Sequence, residues 1–334
     1  MAKANKSKSS PHRDKAIADL SAKFPKASGA ALVRMLMRDF PALYETRNAA
    51  ECHVRWYRGK RGSESRKSAE HRGTAKPLGQ LPLPESEAKP WLPFKIDASR
   101  VLCLSDIHIP FHDNAALEAA LSYGDTFKPD AVLLNGDVLD FQSISKFSRD
   151  PRGPTLSDEL KQCTAFLAHL RRRFPLAQIH WKLGNHEERW ERFLRDKAPE
   201  ILEIAEFAWH KLGGVKANDV NIIGEQRIVM CGKLPVLHGH ELPRGISNPV
   251  NPARGTFLRA IDCALTAHQH RTSEHSERSM LGRVIACWSQ GCLCDLNPEY
   301  SRINRWDHSF ATVQTVPIGD YECRLHRIIN GKVR

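Results

Sequence analysis

Residues 100–108, RVLCLSDIH, set an apolar run directly before an Asp-x-His, and the design returns in AVLLNGDVLD at 131–140 and AQIHWKLGNHE at 177–187. A short apolar run bounded by polar residues reads as a buried strand, of the kind that parallel sheets flanked by helices contain. Between these runs, residues near 114–127 and 156–174 carry helical spacing, so strand and helix are expected to alternate. Further on, RIVMCGKLPVLHGHE, DCALTAHQH, RVIACWSQG and FATVQTVPIGDYECRLHRI read as consecutive strands. From about residue 99 to 334 the expectation is one α/β domain with polar residues at its strand ends.

Five polar clusters stand at those ends: Asp106-Ile-His108, Gly136-Asp137-Val-Leu-Asp140, Gly184-Asn185-His186-Glu187, His238-Gly-His240 and His268-Gln-His270. Open α/β sheets gather their ligands at the carboxyl ends of strands, so residues far apart in sequence can converge there. Asp, Asn and His donors suit Mn, Fe, Zn and similar divalent ions. A two-metal site needs one bridging carboxylate and several donors per ion. Each cluster alone has an ordinary explanation: Asp-x-His arises by chance, a lone buried His is generally a hydrogen-bonded core residue, and Asp140 suits a helix cap. Five clusters in series, each behind an apolar strand, are hard to produce by chance. The His-Gly-His stretch offers two donors, His238 and His240, and His238 lies directly after its strand.

At these residues the chain resembles the calcineurin-like metallophosphoesterases, whose ordered pattern is D-x-H, GDxxD, GNH[D/E], H and GHxH. The last block departs from it, with Ala267 where the family usually has Gly. The resemblance implies a two-sheet α/β sandwich flanked by helices, holding two divalent metal ions, with Mn²⁺ the first expectation and Fe, Zn or Ni also accommodated. Carried over, Asp106, His108 and His270 would hold one metal and Asn185, His238 and His268 the other, with Asp137 bridging. His186 would be a catalytic group aimed at the scissile phosphate or leaving group, and Asp140 would orient it. The implied reaction is hydrolysis of a phosphate ester by metal-activated hydroxide, with His186 as imidazolium protonating the departing oxygen.

Two features narrow the substrate. Phosphoprotein phosphatases of the superfamily follow GDxxD with an arginine that clamps the phosphomonoester, whereas Phe141-Gln142 follow Asp140 here. The resemblance is closer to phosphodiesterases, nucleases and the phosphoesterases of bacteriophages and bacteria, which implies a cytoplasmic protein, in the host cytoplasm if phage-encoded.

The second feature is charge. Residues 1–80 contain 18 Lys and Arg against 7 Asp and Glu, while the remaining residues are nearly balanced at 32 against 31. A neutral body with a basic front end reads as a catalytic domain carrying a polyanion-binding module. Residues 1–13 are expected to be a disordered basic tail and 14–61 a small all-α, helix-turn-helix-like module. In it Thr46 is placed to cap the third helix, and Arg55, Arg58, Lys60 and Arg61 face nucleic-acid phosphates. Residues 62–98, with five prolines from Pro77 to Pro93, are expected to be a linker.

Hydrophobic residues at 41% and charged ones at 26% permit a packed core and exclude wholesale disorder. No apolar run reaches membrane-spanning length, and the N-terminus lacks the apolar segment of a secretory signal. Nine cysteines without a CxxC pair suit a reduced compartment. The leading expectation is a metal-dependent phosphodiesterase acting on nucleic acid. The alternatives are a phosphatase or phosphodiesterase of small nucleotides, and a catalytically idle nucleic-acid-binding protein.

Overall fold

A computed structural model describes residues 10–60, 84–146, 152–224, 226–243 and 250–334. Arg61, the side chain of Lys60, residues 1–9 of the expected tail and 62–83 of the expected linker lie outside the described residues. The chain divides into two compact units, Met1–Ala88 and Lys89–Arg334.

The first unit packs helices α1 (Pro11–Lys23), α2 (Gly29–Asp39) and α3 (Arg47–Lys60) around Ile17, Leu20, Leu32, Leu36, Tyr44, Ala50 and Val54. The first helix begins at Pro11, inside the stretch expected to be a disordered tail. Proline sets the first-turn φ, and Asp14 complements the positive helix end. Thr46 caps α3 by accepting the Ala49 N–H at 3.2 Å. His53 lies between the Tyr44 hydroxyl at 2.7 Å and Asp14 at 2.8 Å, fastening α3 to α1. Arg55 is exposed. Arg58, expected to face phosphates, is exposed and donates one N–H to the Ala27 carbonyl at 2.7 Å, which ties α3 to the turn before α2.

In the second unit, strands β2 (Arg100–Leu104), β3 (Ala131–Asn135), β4 (Gln178–Lys182) and β5 (Val220–Ile223) run parallel. Strands β11 (His308–Thr315), β12 (Tyr321–Ile329) and β13 (Lys332–Val333) extend this sheet antiparallel from β2. The second sheet is ordered β1 (Phe94–Ile96), β6 (Val229–Cys231), β7 (Leu234–Val236), β8 (Ala264–Thr266), β10 (Val284–Ser289), β9 (Ser273–Arg278).

Side chains alternate across the pleat. Val101, Cys103, Ala131 and Leu133 face the second sheet and pack on Val229, Leu234, Val236 and Leu265. Leu102, Leu104, Val132 and Leu134 face the other way, onto helices Asn114–Phe127 and Leu156–Arg173. Burial on both faces is why these strands read as unbroken apolar runs, and truncating Leu102 to Ala would cost about 2–5 kcal/mol.

Strand β1 lies within the stretch expected to be linker. Phe94, Lys95 and Ile96 pair in parallel with Val229, Met230 and Cys231, and Ile96 is buried between the sheets. Three residues behind a proline-rich run give no local strand signal, because the pairing partner is far along the chain.

Candidate metal centre

All five polar clusters follow the carboxyl ends of strands, after β2, β3, β4, β7 and β8. Their backbones are held in an uncommon shape. Asp106, His108, Asp137, His268 and His270 have φ of 50°, 53°, 52°, 67° and 54°. A non-glycine residue in this left-handed region costs roughly 1–2 kcal/mol, and such residues persist only where their surroundings over-determine them. Bonds between loops do so here: Asp106 N–H donates to the Gly136 carbonyl at 3.1 Å, His108 N–H to that of Asp137 at 3.0 Å, and Ala267 N–H to that of His238 at 2.8 Å. Glycine is required at two places. Gly136 has φ 86° and any Cβ there would press on the His238 ring, while a Cβ at Gly184 would come 2.6 Å from the Asp137 nitrogen.

One group of donors is Asp106, His108 and His270. Asp106 Oδ1 lies 3.1 Å from His270 Nε2, the two Nε2 atoms are 3.2 Å apart, and Asp106 Oδ1 is 4.0 Å from His108 Nε2. His108 presents Nδ1 to Asp140 Oδ1 at 2.9 Å, which leaves its Nε2 lone pair facing His270. A second group is Asp137, His238 and His268, whose donor atoms lie within 4.8 Å of one another. His238 Nδ1 donates to the Asn135 carbonyl at 2.7 Å, and its Nε2 stands 3.1 Å from Asp137 Oδ2. Asp137 also belongs to a third group, with His108 and His186. It is the residue common to both sides.

These donors fit divalent cations. Asp106 Oδ1, His238 Nε2 and Asn185 Oδ1 are buried without a hydrogen-bond partner, although the first two have a neighbour at 3.1 Å. Atoms that close but off the line of a hydrogen bond are converging on a shared point. A spacing of about 3 Å is that of adjacent donors on a metal with bonds of about 2.1 Å. The electrostatics agree. Burial opposes charge on Asp106, yet the neighbouring His270 charge holds its carboxyl down at about 2. Burial also disfavours imidazolium at His238, but Asp137 raises it to about 10. Burial and the His238 charge lower His268 to about 4, keeping its lone pair available. The carboxylates thus draw protons onto His238 and His270, and cations would supply that positive charge.

His186 Nδ1 lies 2.8 Å from the Asp140 carbonyl, and Asp140 Oδ1 is 3.1 Å from the same nitrogen. Asp140, expected to orient His186 or another such group, therefore contacts both His108 and His186, which makes it a positioning residue for two imidazoles. His240 is drawn away from the donor groups, with Nε2 3.2 Å from Glu188 Oε1.

Four more residues shape the site. Glu187, the last residue of the third cluster, is 1% exposed. Its carboxylate accepts the N–H groups of Asp137, Val138, Leu139 and Gly184 at 2.7–3.1 Å. Glu241 accepts the His238 and Gly239 N–H groups and pairs with the fully buried Lys182 at 2.6 Å. Arg189 donates Nη1 to the Asp140 carbonyl at 2.8 Å and places Nη2 2.9 Å from His186 Nε2. Trp306 rests edge-on against His270, ring centroids 4.2 Å apart.

The family model described as calcineurin-like phosphoesterase matches residues 99–274. The chain belongs to that family, and it is accordingly a hydrolase acting on phosphate esters. It is 27% identical over 187 residues to the Gene 54 protein of Mycobacterium phage L5 and 30% identical over 181 residues to that of Mycobacterium phage D29. Both matches span 52% of this chain and 70% of the relative. A solved structure, Yfce, a phosphoesterase from E. coli, is similar at 14% identity with a TM-score of 0.30, over 68% of this chain and 96% of that one. Among the described residues no helix is long and apolar enough to cross a membrane.

Proposed function

We propose that the chain is a dinuclear, Mn²⁺-dependent phosphodiesterase acting on nucleic acid. The observation that carries the dinuclear reading is Asp137, which shares donor groups with His238 and His268 on one side and with His108 and His186 on the other. In this reading Asp106, His108 and His270 hold one ion, Asn185, His238 and His268 the second, and Asp137 both. Two such cations supply Lewis-acid neutralisation of the phosphoryl oxygens and make water nucleophilic near neutral pH.

The chain's own residues do the rest. Asp140 fixes the tautomers of His108 and His186 by accepting at their Nδ1 atoms, so that His108 offers Nε2 to the cation site and His186 directs Nε2 at the reacting group. With Nδ1 held by Asp140 and Nε2 accepting from Arg189, His186 would carry a proton on Nε2 to the departing oxygen only once the guanidinium turns from it to the phosphate.

Nucleic acid as substrate is supported by the basic excess of residues 1–80, and by exposed Arg55 on α3. The 73%-exposed ring of Tyr300 beside Trp306 offers a face on which a base could stack. Small diesters or nucleotides are the second reading, since the donor groups alone would serve them equally. Degradation of single- and double-stranded DNA by Mn²⁺-loaded protein, with Asp137→Asn alongside, tests the proposal. Activity that disappears in the variant supports it, and no activity by fully metallated protein rejects the nuclease reading. Salt-sensitive DNA binding should vanish on deleting residues 1–80. Unchanged binding by the truncated chain would overturn the docking role.

A further inference from the structure

The family's phosphatases take a phosphate-clamping arginine from the position after GDxxD, and this chain has Phe141 there. The structure shows why that position has no such use. Phe141 adopts φ 49° and is fully buried, its ring 6.0 Å from both Trp190 and Trp209. It anchors the Asp137–Asp140 loop to the start of the helix Glu188–Lys197.

The same packing presents an arginine from the other partner. Trp190 is buried against Phe141, and the residue before it, Arg189, is half-buried. Its guanidinium reaches the Asp140 carbonyl and His186 Nε2, at 2.8 and 2.9 Å. A guanidinium has five N–H donors in a planar fork, and these two contacts leave three for another acceptor. Arg189 is only partly buried, so its guanidinium stands at the Asp140 and His186 contacts with a side open to solvent. The cation therefore lies between the imidazole expected to serve the leaving group and open solvent.

We infer that Arg189 is the phosphate clamp of this enzyme, its guanidinium binding the non-bridging oxygens of the substrate phosphoryl group from the helix side. The inference rests on the phosphoesterase reading of the same site. It also removes the objection to phosphomonoesters raised by the missing arginine after Asp140. A planar fork matches two phosphoryl oxygens, whether the phosphate is a monoester or a diester.

The test uses the full-length, Mn²⁺-loaded protein and inorganic phosphate as the probe, with Arg189→Gln and Arg189→Lys. Phosphate affinity is measured by calorimetry, and metal content and KM for a small phosphate ester are measured in parallel. Arg189→Gln should weaken phosphate binding about tenfold or more and raise KM in step, with metal content unchanged. Arg189→Lys, which keeps the charge and loses the fork, should fall between the two. Phosphate affinity within about twofold of wild type in both variants overturns the clamp. Loss of metal together with phosphate binding also overturns it, because Arg189 would then be only a support for His186 and Asp140. Wild-type protein that binds phosphate through Arg189 yet hydrolyses no ester would reject the activity and leave the clamp standing.

Discussion

Glu187 Oε2 accepts the backbone N–H of Asp137 at 3.0 Å, so the acidic residue that ends the third cluster fixes the backbone of the second. Asp137 has φ 52° and needs such support. A carboxylate offers about four lone-pair sites, and here four N–H groups fill them. Burial and the neighbouring Asp137 charge raise the Glu187 carboxyl, and the donated hydrogen bonds from Leu139 and Gly184 offset part of that.

Glu187→Gln keeps the shape but turns an amide NH₂ toward backbone donors, leaving buried N–H groups unpaired. The expected cost is at least about 2 kcal/mol, read from the denaturant midpoint. Bound Mn²⁺ per chain should fall as well, because the Asp137 loop relaxes. A variant with unchanged midpoint and metal content would show that the four bonds contribute nothing.

Much of the domain was legible because its signals are local. Leu102 and Leu133 sit in runs buried on both faces, and each donor cluster follows its strand within a few residues. What escaped depends on contacts that local sequence does not encode. Glu187 is legible only as the last letter of GNHE, and Glu241 looks like an ordinary surface acid, until the fold turns backbone N–H groups toward them. Strand β1 exists only because Phe94–Ile96 meets Val229–Cys231. Whether His238 or His240 faces Asp137 was open in HGH, and the structure assigns His240 to Glu188.

Asp140→Asn isolates the positioning of two imidazoles. Both Nδ1 atoms approach the same oxygen, Asp140 Oδ1, so the amide can keep the acceptor but loses the negative charge that holds the two imidazoles. Mn²⁺ affinity or turnover should drop roughly 10–100-fold, the usual cost of losing a group that orients a ligating histidine. Calorimetric Mn²⁺ titration and kcat are the two measurements, and full retention of both would contradict the role given to Asp140.

Lys182 and Glu241 pair at 2.6 Å beneath the His238 loop, with Lys182 fully buried. Burial pushes the Glu241 carboxyl up, and Lys182 more than reverses this, holding it at about 2. Lys182→Met would strand a buried carboxylate and should destabilise the fold by about 3–5 kcal/mol. Adding Glu241→Gln removes the stranded charge, so the double variant should recover part of the loss. A double variant no more stable than Lys182→Met would mean that the ion pair is not the source of the cost.

Glu159, on helix Leu156–Arg173, provides a pH signature away from the donor atoms. It is fully buried, with Oε1 accepting the Ser143 N–H at 3.2 Å and Oε2 without a partner. Burial, reinforced by the Asp140 charge and resisted by the Ser143 hydrogen bond, raises its carboxyl from 4.5 to about 7. The folded state therefore keeps a proton that the unfolded chain releases between these values. Stability is favoured by this group below its unfolded pKa, and that advantage disappears as pH rises through the folded value. Glu159→Gln cannot titrate and retains the acceptor for Ser143. The variant should match wild type near pH 4 and exceed it by about 3 kcal/mol at pH 8, with the gap opening between the two pKa values. Denaturant unfolding of both proteins across that range measures the difference directly. A gap that stays constant with pH would mean that Glu159 is ionised in the folded state throughout.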